Sequence, residues 1–424
     1  MRFIYTIVLY AIVPWLLLHL WWRGRIDPAY RKRWRERFGY CLDLVNKSPA
    51  IWIHAVSVGE VQASLSLVQL LLIRYPNHQI IITTTTPTGA ARVESELGET
   101  VRHFYVPYDL PVAIERFLSV VNPALVVIME TELWPNLFYC CHRRSIPLLL
   151  VNMRLSERSA HGYSKFPALV REMLSYVDSF TVQTEVDAQR LQVLGAPQAR
   201  IHITGNIKFD AKLPQSLKEE GQALRRILGV SRSVWIAAST HAGEDEIVLD
   251  AHNYIRARMK DCLLVLVPRH PERFEYVVGL AKRRGLKVAV WTERPQQCNN
   301  IDVVVGNTMG ELPVFYSASD VSFVGGSLVK SGGHNLLEAA ALSLPIFVGA
   351  HTFNFSDSTC KLIDLGVCER VDDAASLAQG VIRYFEDANL RYRVGETAVS
   401  FVARNQGAAH RIMRIIEGII PSSN

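Results

Sequence analysis

Short, nearly continuous runs of β-branched and aliphatic residues recur along the chain. Each is followed by a longer stretch in which apolar positions return every three to four residues. The first run is IWIHAV (51–56), before a helical pattern that starts near Glu60; QIIITTTT (79–86) precedes another over Gly89–Glu96. VRHFYV, ALVVIME, PLLLVN, DSFTVQ and RIHITG continue the series as further strands. Runs that are apolar at every position belong to strands covered on both faces, and the helical spacers supply the cover. The pattern predicts an α/β fold with doubly wound parallel sheets. It then repeats with SVWIAAS, CLLVLVP, LKVAVW, IDVVVG, VSFVGG and LPIFVG. Residues 206–228 between the two series are charged and less apolar, and read as a linker. The chain thus divides into Rossmann-like domains at 51–205 and 229–424, with ligands expected in a cleft facing the carboxyl ends of both sheets. The helical stretch after about Ala388, ending GAAHRIMRIIEGII, is a candidate for packing back onto the first domain.

The N-terminus departs from this scheme. Phe3 to Trp22 is almost uninterrupted apolar sequence, as long as the ~20 residues that cross a bilayer as a helix. Trp15, Trp21 and Trp22 suit interfacial positions, and Pro14 is tolerable in a membrane helix. Arg2 is the only side-chain charge before the run and no small-residue cleavage site follows it, so residues 1–22 read as an uncleaved single-pass anchor rather than a signal peptide. Residues 23–50 form a basic juxtamembrane segment: Arg23, Arg25, Arg31, Lys32, Arg33, Arg35 and Arg37 stand against Asp27 and Glu36 over its first half. That bias places the rest of the chain on the cytoplasmic side and attracts anionic lipid headgroups. The overall charge of +6 is too modest to argue for nucleic acid, and none is expected as a partner. Seven cysteines without CxxC spacing fit reduced thiols.

Candidate chemistry concentrates in Val321 to Gly349, VSFVGGSLVKSGGHNLLEAAALSLPIFVG. It reads as a strand, a glycine-rich turn, a helix opening at Gly333–Asn335 and a second strand. Glycines let backbone approach a ligand, and a helix start offers unpaired N–H groups to phosphate. Glu338, one turn in, has the reach to accept hydrogen bonds from the vicinal hydroxyls of a ribose. An ordinary βαβ turn with a polar first turn is the competing reading.

Five segments occur in order with this turn: HAVSVGE at His54–Glu60, METELWPN at Met129–Asn136, VPRHPERF at Val267–Phe274, MGE at Met309–Glu311 and GGHNLLE at Gly332–Glu338. Together they resemble the 3-deoxy-D-manno-oct-2-ulosonic acid (Kdo) transferases, membrane-anchored glycosyltransferases of GT-B fold, over essentially the whole chain. The resemblance implies transfer of Kdo from CMP-Kdo to a lipid A precursor (lipid IVA), with inversion, in lipopolysaccharide inner-core synthesis at the bacterial inner membrane. It implies Glu60 as general base, and Glu130 and Lys208 as stabilisers of the transition state. It also implies a CMP site built from Pro268 and Arg269, Met309, Gly310 and Glu311, and Asn335, Leu336, Leu337 and Glu338. Position 336 is Leu where Pro is expected, which bears on the loop's geometry.

Each of these residues also has an ordinary structural role available. Glu60 is a helix-initiating acid, Glu130 a sheet-end carboxylate and Lys208 a linker lysine. Thr86, in TTTTPTG, binds an acceptor phosphate or caps a helix. Arg154 and Arg158, in NMRLSERSAHGYSK, meet lipid A phosphates or line a solvated loop. His54, His241 and His270 lack metal-ligand spacing, and no DxD or HExxH is present, so transfer is expected to need no metal and no cofactor beyond the donor. Two other functions compete: a GT-B enzyme using a UDP-sugar, and a non-catalytic nucleotide-sugar-binding membrane module. The acids at 60 and 338 favour an enzyme, and the absence of GxxxxGK[ST] argues against a lipid kinase.

Overall fold

The computed structural model describes residues 1–26, 28–41, 48–210 and 216–420. Contacts divide it into two units, Met1–Ala211 with Asn405–Asn424, and Lys212–Arg404.

The first unit holds seven parallel strands: β1 Ala50–His54, β2 Gln79–Thr84, β3 Arg102–Tyr105, β4 Pro123–Met129, β5 Leu148–Met153, β6 Ser179–Val182 and β7 Ile201–Ile203. Their order is β3-β2-β1-β4-β5-β6-β7. Side chains alternate between two cores. Trp52, Ile81, Val126 and Ile128 pack on one face, and Ile51, Ile53, Ile80, Ile82, Leu125 and Val127 on the other. Burial on both faces is what the unbroken apolar runs require. The order reverses between β1 and β4, so the turns leaving these two strands diverge and open a crevice at their carboxyl ends.

The second unit repeats the plan with β8 Val234–Thr240, β9 Leu263–Pro268, β10 Val288–Val290, β11 Val303–Val305, β12 Val321–Val324, β13 Ile346–Val348 and β14 Cys368–Arg370, in the order β10-β11-β9-β8-β12-β13-β14. Its reversal lies between β8 and β12. Two doubly wound units of this kind make up the GT-B fold class expected from the sequence.

Four boundaries differ from the sequence reading. The N-terminal helix, α1, runs from Arg2 to Ile26 instead of ending at Trp22, because Arg23–Ile26 continue its last turn. Residues 206–228 are not one linker. Ile207–Asp210 is a 3₁₀ turn of the first unit, residues 211–215 lie outside the described residues, and Leu217–Leu228 is an amphipathic helix of the second unit with Leu217, Leu224 and Leu228 buried. The helix after the glycine-rich turn opens at Leu337, not at Gly333–Asn335, since Gly332 and Gly333 adopt φ of +96° and +76° and hold the chain out of helix. The second unit ends at Arg404 instead of 424, because the last helix, Ala408–Ile419, packs on the first unit, the placement the sequence offered as a candidate. Ile412, Met413 and Ile416 enter the core that contains Val61 and Leu67, and Asp210 accepts hydrogen bonds from the N–H groups of Gly407 and Ala409, both at 2.5 Å, at its start.

The juxtamembrane stretch 28–41 folds onto the first unit: Glu36 accepts from the Tyr105 N–H (2.8 Å) and Arg37 donates to the Thr85 carbonyl (2.8 Å). Residues 27 and 42–47 of the 23–50 segment lie outside the described residues. At the other end of α1, Arg2 and Thr6 both donate to Asn136 Oδ1, at 3.2 and 2.9 Å.

Candidate functional site

In the first unit, β1 ends at His54 and a short turn leads into α2, Val58–Arg74. Ser57 caps that helix: its Oγ accepts from the Glu60 N–H and donates to Glu60 Oε1 (3.0 Å), and Glu60 Oε2 accepts from the Val56 N–H (2.8 Å). This reciprocal arrangement fixes the Glu60 side chain in the turn at the carboxyl end of β1. Burial pushes its carboxyl up to about 7, the Val56 hydrogen bond opposes the rise, and the charges of Glu130 and Glu132 add to it. A helix start alone would have lowered the value. Desolvation outweighs that effect here, leaving a carboxylate poised to accept a proton near neutral pH.

Glu130 follows β4 across the reversal point. Its φ of +56° is a left-handed conformation uncommon outside glycine. The Glu130 N–H donates to the Val151 carbonyl (2.7 Å), which holds the conformation from the neighbouring strand. Lys208, on the 3₁₀ turn after β7, places Nζ 2.7 Å from Glu130 Oε1. Two residues beyond Glu130, Glu132 accepts from Trp134 Nε1 (2.8 Å), and burial raises its carboxyl. The Trp134 ring meets buried His54 edge-on, with centroids 5.3 Å apart. Glu60, Glu130, Glu132 and Lys208 therefore form one charged group within the first unit.

The remaining first-unit candidates are less committed to chemistry. Thr86 Oγ1 accepts from the Gly89 N–H (3.1 Å) and caps the helix Pro87–Leu97. The carbonyl of Arg154 accepts from Thr131 Oγ1 (2.6 Å) while its side chain is half-exposed, and Arg158 is exposed on the helix Glu157–Ser164.

In the second unit, the turns leaving β8, β9 and β12 meet. Pro268 ends β9, and the Arg269 N–H donates to the Thr240 carbonyl (3.0 Å), which fixes the arginine beside the β8 turn. The glycine-rich turn after β12 is organised by a residue the sequence reading passed over. Buried Glu244 accepts four backbone hydrogen bonds: from His241 (2.9 Å) and Gly326 (2.7 Å) on Oε2, and from Ser327 and Leu328 (2.9 Å each) on Oε1. Its signal was present, an acid placed directly after THAG in the turn that follows β8. A Cβ on Gly325 would sit 2.6 Å from the Ser239 carbonyl oxygen, so the close approach of these two turns demands glycine there.

Three imidazoles gather over this turn. His241 and His334 bring their Nε2 atoms to 2.8 Å and stack at 13°, and His270 lies edge-on to His241 at 5.2 Å. Burial drives His334 down to about 3, with Arg269 and the neighbouring imidazoles pushing the same way. A neutral imidazole beside a guanidinium leaves Arg269 as the cation facing any anion bound there.

The loop bearing Met309, Gly310 and Glu311 is tied down through Glu311, which accepts from Trp291 Nε1 (2.7 Å), Arg294 (3.1 Å) and Thr308 (2.5 Å). Burial raises its carboxyl, but those three donors outweigh it and the net direction is down. Met309 is 62% exposed and Gly310 has φ of +86°, so side-chain and backbone edges of the loop are open to a planar ligand. Asn335 Oδ1 accepts from the Leu337 N–H (3.1 Å) and its Nδ2 donates to Glu338 Oε1 (3.1 Å). Leu336 is buried and uses its N–H-bearing backbone as the helix cap position, so its side chain is core and not ligand.

Residues 32–211 match the family model for 3-deoxy-D-manno-octulosonic-acid transferase (kdotransferase), and residues 240–401 match that for glycosyl transferases group 1. The chain is 40% identical to the 3-deoxy-D-manno-octulosonic acid transferase of Haemophilus influenzae over 98% of both chains. It is 34% identical to that of Bordetella pertussis, over 98% of this chain and 99% of the relative. In fold it is similar to the UDP-GlcNAc 2-epimerase of Neisseria meningitidis, with a TM-score of 0.60 at 15% identity over 87% of this chain and 100% of that one. Coverage of nearly the full length at this identity leaves one conclusion: the chain belongs to the 3-deoxy-D-manno-octulosonic acid transferase family of glycosyltransferases.

Proposed function

We propose that the chain transfers Kdo from CMP-Kdo to a lipid A precursor, lipid IVA, with inversion at the anomeric carbon. The carrying observation is Glu60, a buried carboxyl held near neutral pH at the strand-order reversal beside the Glu130–Lys208 pair. Glu60 takes the proton of a glucosamine hydroxyl on the acceptor. The hydroxyl oxygen bonds to the anomeric carbon of Kdo as the bond from that carbon to the phosphate oxygen breaks, and CMP leaves with the electron pair. Lys208 opposes developing negative charge, and Glu130 orients Lys208 and opposes positive charge on the sugar ring.

The second unit is assigned the nucleotide. Arg269 grips the phosphate, the Met309–Glu311 loop reads cytosine, the backbone of Asn335–Leu337 faces the phosphate side and Glu338 takes the ribose hydroxyls. Thr86, Arg154 and Arg158 are assigned to the acceptor's sugar and phosphates. Transfer needs no metal and no cofactor beyond the donor, with Arg269 and Lys208 opposing the negative charge that develops. α1 attaches both units to the cytoplasmic face of the bacterial inner membrane, with the exposed arginines of residues 23–35 against anionic lipid. Incubating the purified chain with lipid IVA and either CMP-Kdo or UDP-sugars, followed by mass spectrometry, tests the reading. A mass gain of Kdo from CMP-Kdo alone is expected; transfer from a UDP-sugar instead would overturn it.

A further inference from the structure

The two ends of α1 are held by the same unit, and this bears on how the helix meets the membrane. A 25-residue helix is about 37 Å long, enough to cross the ~30 Å hydrocarbon core. A crossing helix would carry its first turn to the far side. Yet that turn is docked. Arg2 and Thr6 donate to Asn136, Tyr5 bonds the buried carboxyl of Asp109, and the Arg2 guanidinium lies 3.4 Å from the centre of the Tyr139 ring. Asp109 in turn accepts from the N–H groups of Asn136 (3.1 Å) and Leu137 (2.8 Å), so the dock is built on buried, satisfied polar groups. At the other end, Arg31 donates to the Trp21 carbonyl (3.2 Å), and Glu36 and Arg37 fasten the following turn to Tyr105 and Thr85.

Exposure around the helix has a direction. Arg2, Tyr5, Thr6, Leu9, Val13, Leu16 and Leu20, spaced three and four apart, are half-covered. The opposite arc is bare: Phe3 is 74% exposed, Ile4 61%, Trp15 60% and Leu18 66%. So broad an apolar arc, ending in exposed Arg23 and Arg25, has the chemistry of a surface that sits in lipid.

We propose that α1 lies along the membrane with its Phe3–Ile4–Trp15–Leu18 arc buried in one leaflet and its first turn docked on Asp109 and Asn136, instead of crossing the bilayer. The N-terminus then stays on the same side as both units. This inference rests on the membrane attachment proposed above and replaces the single-pass arrangement expected from the sequence. It also gives the METELWPN segment a second task. Asn136 lies six residues beyond Glu130, so the dock sets the lipid-facing helix on the segment that carries the acceptor-side carboxylates, and a lipid-borne sugar reaches Glu60 without leaving its leaflet.

The test uses the full chain with Cys360, the exposed cysteine, changed to Ser. Ile4→Cys, Ala11→Cys and Leu18→Cys are labelled with an environment-sensitive fluorophore in vesicles of phosphatidylethanolamine and phosphatidylglycerol. Quenching by lipids spin-labelled near the headgroup or at mid-chain reads the depth of each position. Equal, shallow depths at all three are expected; maximal mid-chain quenching at position 11 with shallower ends would show a crossing helix and overturn the inference. In sealed inverted inner-membrane vesicles, a protease should remove an N-terminal tag, and protection of that tag would overturn it equally. Failure of the chain to float with the vesicles in a density gradient at neutral pH is a different failure, that of the attachment itself.

Discussion

Lys208 Nζ lies 2.7 Å from Glu130 Oε1, joining the turn after β7 to the turn after β4 at the crevice that holds Glu60. Neither partner is buried enough for this ion pair to be chiefly a stabilising device, since half-exposed pairs contribute only ~0–1 kcal/mol. Its strained partner, Glu130 at φ +56°, points to chemistry. Lys208→Ala should lower kcat by roughly 10²–10³ with little change in melting temperature. Steady-state kinetics beside a thermal melt checks this; a large loss of stability with kcat intact would make the pair structural.

The near-neutral carboxyl of Glu60 predicts a pH profile. A general base works only when ionised, so, with Glu60 in that role, kcat/KM should rise with pH through an inflection at about 7. Glu130 is one of the charges that raise this value, so Glu130→Gln should move the inflection to lower pH. A wild-type inflection in the ordinary carboxylate range near 4 to 5 would contradict the assignment.

Burial lowers His54 to about 4 in the folded chain, against 6.5 ordinarily. The unfolded chain therefore binds more protons between those values. Stability is fully present above about 6.5 and is lost as pH falls toward 4, by up to about 3 kcal/mol from this group. The melting temperature should drop between pH 7.5 and 5, and His54→Asn should flatten part of that drop. An unchanged slope in the variant would place the effect elsewhere, with His252 and His334, which burial also lowers, as the next candidates.

Glu244 accepts four backbone N–H groups and leaves no oxygen for ligand. Glu244→Gln presents an N–H₂ to donors on one side, a mismatch that should cost about 2–4 kcal/mol of stability and loosen the glycine-rich turn. Denaturant unfolding should show the loss, and calorimetry should show CMP binding weakened while Glu60 chemistry is untouched. Unchanged CMP affinity would separate the turn from the nucleotide.

Much of the architecture was legible because strands buried on both faces leave unbroken apolar runs, as IWIHAV and ALVVIME do. Reading residues 206–228 as one linker failed because Leu217, Leu224 and Leu228 bury a narrow stripe under a charged surface. The helix after the glycine turn was placed early because positive φ at Gly332 and Gly333 delays it to Leu337. Glu60 and Glu130 were nameable through family motifs and Lys208 through its place after RIHITGNI in a chain of that resemblance, but only the fold brings Lys208 onto Glu130, seventy-eight positions away. Glu244 went unread although an acid directly after THAG marked it, because three of the four N–H groups it serves lie more than eighty positions away, and Asp109 because it serves N–H groups of the distant Asn136–Leu137 segment.

The central claim, that Glu60 is the base, is tested most directly by Glu60→Gln in the mass-spectrometric assay with lipid IVA and CMP-Kdo. The account predicts that Kdo-bearing product falls by at least about 10²-fold while CMP-Kdo affinity and melting temperature stay near wild type. Turnover close to the wild-type rate would contradict it.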